Sequence, residues 1–140
     1  EGVYLRGPLK RRLMELMFDG EPQAQAAAKA TAKANREAFD AYRKLLQIPG
    51  DAAALAGLAP RYRNAALGDI VVTRAGGKAR IDVGAFSSEI VTQPQPDGSL
   101  AFVTIDPVAA GFQMVRADKD GKRALVVRDG QHEYVFEAVE

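Results

Sequence analysis

The spacing of apolar and polar residues changes character near residue 60. Ahead of it, apolar side chains recur at helical intervals. Leu9, Leu13, Leu16 and Met17 fall at i, i+4, i+7 and i+8 and form one stripe. Lys10, Arg11 and Arg12 lie off that stripe, and Pro8 sits where a first helical turn tolerates proline. Asp19-Gly20 ends this segment, and Glu21-Pro22 opens a second. From there to about residue 47 the chain is rich in Ala, Lys and Glu, with no Gly or Pro after Pro22, so a long helix is expected. Its larger apolar residues, Phe39, Tyr42 and Leu46, come late; its first half offers only alanine methyls. Ile48-Pro49-Gly50 stops it, and Asp51 is a suitable N-cap for a short helix over 52–58.

After Pro60 the period drops to two. Eight short strand-like runs are expected, over 61–64, 69–74, 78–86, 89–93, 99–105, 112–117, 123–128 and 131–138. Gly76-Gly77, Pro96-Asp97-Gly98, Lys119-Asp120-Gly121 and Asp129-Gly130 separate them, and in such turns Gly takes positive φ at little cost. Short strands joined by tight turns form an antiparallel meander, which hides both its edges by curling into a barrel. The fold class is therefore α+β: N-terminal helices followed by an eight-stranded antiparallel meander barrel. Three segments are expected: a terminal helix over 1–20, a long alanine-rich helix and a short helix over 21–59, and the barrel over 60–140.

The composition, 47% apolar and 26% charged over 140 residues, fits a folded chain with one core rather than a disordered one. No apolar run approaches the roughly 20 residues needed to cross a bilayer, so no membrane span is expected. The sequence opens on Glu1 rather than Met, with no leader-like stretch, and reads as a piece of a longer chain. Nine basic and seven acidic residues before position 61, against ten and eleven after it, leave neither half with the field of a nucleic-acid binder. No nucleic-acid partner is expected. The absence of Cys removes disulfides, thiolate metal sites and a Cys nucleophile, and fits either the cytoplasm or an exported compartment.

The residues that could carry chemistry are few. Ser87, Ser88 and Ser99 lie in neither G-x-S-x-G nor S-x-x-K. His132 is the one histidine; alternation puts it on a face with Tyr134 and Phe136, where a hydrogen-bonded barrel residue is a better reading than a base without a nucleophile. His132-Glu133 opens like H-E-x-x-H, but Phe136 stands at the fifth place in a strand. Asp118, Asp120 and Gly121 resemble a scrap of a calcium loop, without its closing Glu. No catalytic residue, metal or cofactor is assigned. Tyr62-Arg63-Asn64 has the Tyr-x-Asn form found in penicillin-recognising hydrolases, but its S-x-x-K partner is missing, and Tyr62 reads as a structural aromatic.

Several runs together carry a resemblance: Leu58-Ala59-Pro60-Arg61-Tyr62-Arg63-Asn64, Leu67-Gly68-Asp69-Ile70-Val71-Val72, Val83-Gly84-Ala85-Phe86-Ser87-Ser88-Glu89, Phe102-Val103-Thr104-Ile105-Asp106-Pro107 and Gln131-His132-Glu133-Tyr134-Val135-Phe136. Over about residues 58–138 the chain resembles the lipocalin-like C-terminal β-domain of serine hydrolases related to class C β-lactamases. The helical lead-in from Leu9 to Gly20 is similar to the segment that closes their catalytic domain. The resemblance implies a non-catalytic accessory domain, structural or shaping access to a neighbouring active site. Its partner would be the preceding catalytic domain, and the setting exported or periplasmic. None of that family's catalytic residues maps onto this chain. Two other readings stand beside it. One is a small-molecule-binding barrel with Phe102, Phe112, Met114, His132, Tyr134 and Phe136 as its wall, since barrels of about eight strands can hold one small ligand. The other is a helical assembly module. In either the first or the last case, Leu9, Leu13, Leu16 and Met17 are the candidate interface, to the catalytic domain or to a second copy in a homodimer.

Overall fold

The computed structural model describes residues 6–139, and the chain divides into two compact units, Glu1–Lys44 and Leu45–Glu140. The first unit holds two helices, α1 (Arg6–Met17) and α2 (Ala24–Arg43). Helix α1 closes where Asp19 takes a left-handed φ of 48° and the Gly20 N–H donates to the Glu15 carbonyl at 2.9 Å. Helix α2 has no side-chain cap of its own, because Gln23 occupies the N-cap. Glu15, on α1, supplies the missing acceptor. Its carboxylate takes the N–H groups of Gln23 at 3.0 Å and Ala24 at 2.7 Å. Arg11 and Arg12 lie 3.6 and 3.4 Å from the same carboxylate. One buried acid thus joins the helices by neutralising the positive end of α2. Glu15→Ala is expected to cost about 1–2 kcal/mol of local stability. The loss should appear as reduced far-ultraviolet helicity and faster amide exchange at Gln23 and Ala24.

Helix α2 ends at Arg43, short of the expected stop near residue 47. The reason is tertiary. Gln47 leaves the helix to pair with Thr92 in the barrel, its N–H donating to the Thr92 carbonyl at 2.8 Å and its side-chain carbonyl accepting from the Thr92 hydroxyl at 3.1 Å. The short helix α3 (Ala52–Ala56) starts as expected, with the Asp51 carboxylate accepting from Ala54 N at 2.7 Å.

The second unit is a closed barrel of eight antiparallel strands in sequence order: β1 (Arg61–Asn64), β2 (Gly68–Ala75), β3 (Lys78–Asp82), β4 (Ser87–Pro94), β5 (Leu100–Thr104), β6 (Gln113–Lys119), β7 (Lys122–Asp129) and β8 (His132–Ala138). This is the up-and-down, lipocalin-like meander that the turn spacing implies. Two-residue loops join β2 to β3, β6 to β7 and β7 to β8. At Gly76-Gly77 both residues have positive φ, 58° and 77°, the geometry that matches the strands' right-handed twist. Closure rests on a short seam, where β1 pairs with β8 at Tyr62↔Ala138 and Arg63↔Glu137 and the Val139 N–H donates to the Arg61 carbonyl at 2.9 Å.

Alternation sorts the side chains. Tyr62, Ile70, Val72, Ile81, Ile90, Phe102, Met114, Leu125, Val127 and Phe136 form the interior cluster. Helix α3 belongs to the same cluster, through Leu55 and, just after it, Leu58 and Ala59. It is tied to the end of the barrel where β2 turns into β3. The Arg74 guanidinium donates to the Leu55 carbonyl at 3.0 Å and to the Leu58 carbonyl, and the Ala59 N–H donates to the Tyr62 hydroxyl at 2.8 Å. One end of the barrel is thereby plugged. The opposite end is framed by the β1–β2, β3–β4, β5–β6 and β7–β8 connections.

On the outside, ion pairs lace the wall, cross-strand at Lys78–Glu89 and Lys122–Glu137 and from β3 to the β5–β6 connection at Arg80–Asp106. The best formed is bidentate, Arg63 to Asp69 at 2.8 and 3.1 Å. The Arg63 hydrogen bonds hold the Asp69 carboxyl below its ordinary value. A depressed carboxyl contributes stability above its unfolded value near 3.9 and loses it as pH falls through the lower folded value. Asp69→Asn should therefore lower the thermal midpoint slightly at pH 7, the effect being small because the pair is open to solvent, and converge with wild type as pH falls below about 4.

Candidate functional site

The open end of the barrel holds the site. Because β1 stops at Asn64 while β8 begins at His132, the β7–β8 hairpin stands above the β1–β2 turn, and a cavity of about 520 Å³ opens between them. Phe112, Val127, Tyr134 and Phe136 line it, with Leu67 from the β1–β2 turn and Gln113 at the start of β6. Phe112 is held by an edge-to-face contact with Phe86, ring centroids 5.7 Å apart. Val127 and Phe136 are nearly buried, whereas Tyr134 and Phe112 are half-buried and Leu67 is exposed. Arg128 and Asp129 border the cavity, and Arg128 is engaged by Glu133 at 2.6 Å.

The residues expected to wall the barrel separate into three levels. Phe102 and Met114 lie buried in the interior. Phe112, Tyr134 and Phe136 meet at the open end. His132 is exposed at the first position of β8, its ring 6.3 Å from that of Tyr134. Its alternation with Tyr134 and Phe136 is as expected, since burial deepens along the three. What differs is height: His132 stands beyond the rim, so its side chain meets water rather than the core. Leu67, Gln113 and Val127 also line the cavity; of these only Leu67, an apolar residue at a hairpin tip, carries a sequence signal.

Each serine is engaged in the scaffold. Ser88 is buried; its hydroxyl donates to the Glu89 carbonyl at 2.9 Å and accepts from Asp106 N at 3.0 Å. Ser87 accepts from Arg80, and Ser99 donates to Asp97 at 2.6 Å. No hydrogen bond joins His132 to any of the three among the described residues. The Tyr-x-Asn pair is structural as well. Asn64 accepts from Ala66 N and Leu67 N at 2.9 and 3.0 Å and donates to the Val135 carbonyl at 2.8 Å, which ties the β1–β2 turn to β8. Asp120 and Gly121 form the β6–β7 hairpin turn. Among the described residues there is no group of three His, Asp or Glu side chains placed to hold a metal ion, and no helix is long and apolar enough to cross a membrane.

A wider depression of about 860 Å³ runs outside the β1–β8 seam, between Pro60, Arg63, Asn64, Lys122 and Glu137. Arg63 is paired with Asp69 and Lys122 with Glu137, on the wall itself. In the helical unit, the stripe Leu9, Leu13, Leu16 and Met17 is exposed along its whole length, Leu9 at 71%, together with Met14 and Phe18. Comparisons with protein-family models, with curated proteins and with solved structures find no match to this chain.

Proposed function

We propose that the chain is a non-catalytic accessory β-domain of a serine hydrolase related to class C β-lactamases, with α1 as the surface that meets the preceding catalytic domain. The observation that carries this reading is the outward apolar face of α1. A short isolated helix is marginal in water and needs its apolar face buried. Here α1 turns its polar Glu15 inward to α2 and leaves Leu9, Leu13, Leu16 and Met17 uncovered. The engagement of all three serines in scaffold hydrogen bonds supports a chain without its own acyl-transfer centre. A two-fold pair of copies meeting along the stripe is the competing arrangement. Sedimentation across a wide concentration range separates the two, since only the pair of copies makes the purified chain self-associate.

Three measurements test the reading. The purified chain is expected to give no saturable turnover of a chromogenic ester or a chromogenic cephalosporin. Turnover abolished by Ser87→Ala, Ser88→Ala or His132→Ala overturns it. The reading frame upstream of Glu1 is expected to encode S-x-x-K and a second Tyr-x-Asn; their absence also overturns it. Leu13→Glu and Met17→Glu should leave the chain folded, within about 0.5 kcal/mol of wild type, because both side chains are exposed. Unfolding of both variants would place the stripe in this chain's own core.

A further inference from the structure

We propose that the open end of the barrel is a binding site for a small aromatic molecule that carries no negative charge. This goes beyond the accessory role and does not depend on it. The mouth of a barrel is a common place for such sites, and a cavity of about 520 Å³ lies in the usual range for small ligands. Three rings, of Phe112, Tyr134 and Phe136, line one cavity, and flat aromatic ligands gain from offset or edge contacts with such rings.

The depth of the cavity sets the size of the ligand. Val127 and Phe136 lie at the top of the interior cluster, and beneath them Phe102, Met114 and Leu125 are buried with no more than 2% exposure. A long alkyl chain has no channel to thread, so a fatty acid is excluded and a molecule of two or three rings fits. The rim sets the charge. Arg128 is neutralised by Glu133 at 2.6 Å, which leaves the Asp129 carboxylate as the charge that faces an incoming ligand. A carboxylate or sulfonate on the ligand meets repulsion there, while a neutral ring or an aromatic amine does not. The Tyr134 hydroxyl and the Gln113 amide can bond one polar group on the ligand.

A matched pair of fluorescent probes separates these claims. N-phenyl-1-naphthylamine and 8-anilino-1-naphthalenesulfonate share one skeleton and differ by the anionic sulfonate. With the full 140-residue chain, the neutral probe is expected to bind saturably, with amide shifts centred on Phe112, Gln113, Val127 and Tyr134. The sulfonate is expected to bind about fourfold more weakly, the factor two like charges about 5 Å apart give in water. Asp129→Asn should close that gap. Tyr134→Ala should weaken the neutral probe at least tenfold. Leu67→Asp, at an exposed position that leaves the core untouched, provides a second reading if the tyrosine variant fails to fold, and should weaken it severalfold. Palmitate should not displace the probe. The proposal is overturned if the neutral probe does not saturate, if shifts fall outside the open end, if Leu67→Asp has no effect, or if the sulfonate binds as tightly as its neutral analogue.

Discussion

Replacing Phe102 with alanine is expected to unfold the barrel at a temperature at least about 12 °C below wild type. Phe102 is buried on β5, opposite Met114 on β6 and Thr92 on β4, at the centre of the interior cluster. Removing a buried phenyl ring loses its transfer free energy and leaves a cavity that a closed strand ring cannot collapse around. Such truncations cost about 3–5 kcal/mol. For a domain of this size each kcal/mol moves the midpoint by about 4–8 °C. Thermal unfolding followed by circular dichroism measures it, with His132→Ala as the exposed control, expected within about 0.5 kcal/mol of wild type. A phenylalanine deletion no more costly than the histidine one would mean that the interior is not packed around residue 102.

Tyr62 gives the second large effect, and two substitutions divide it. Its ring fills the interior and its hydroxyl accepts from Ala59 N at 2.8 Å, so it packs the core and holds the end of the α3 segment. Tyr62→Ala is expected to cost about 3–5 kcal/mol, as any large core truncation does. Tyr62→Phe keeps the ring and orphans the buried Ala59 N–H, at about 1–3 kcal/mol. The difference between the two reports packing, and the smaller value reports the pin. Equal stability of Tyr62→Phe and wild type would show that Ala59 finds another acceptor.

The barrel was legible because its period and its punctuation agree. Strands such as β2 and β3 alternate, β5 and β7 are short apolar runs, and the Gly-Gly and Asp-Gly turns fall where the loops need positive φ, so all eight strands could be placed from the chain alone. What was not legible depended on contacts between distant segments. Helix α2 has enough propensity to run past Lys44, yet Gln47 is drawn off by Thr92, a residue 45 positions away. Helix α2 also lacks a capping residue in its own sequence, and its cap arrives from Glu15. At the open end, Tyr134 and Phe136 were visible as one face of a strand. How that face divides into interior, rim and solvent depends on the stagger between β1 and β8, which no local pattern encodes.

The short β1–β8 seam has a mechanical consequence. Seven of the eight strand interfaces are hairpins or short connections between neighbours in the chain; the eighth joins the first strand to the last with two residue pairs. If β1 peels away there, the remaining strands keep their ladders as an open sheet. But β1 cannot leave alone. Tyr62 withdraws from the interior with it, and Pro60, Ala59 and Leu58 connect it directly to the α3 segment that closes the lower end. Unlatching the ring and uncorking it are therefore one event, governed by a four-residue strand.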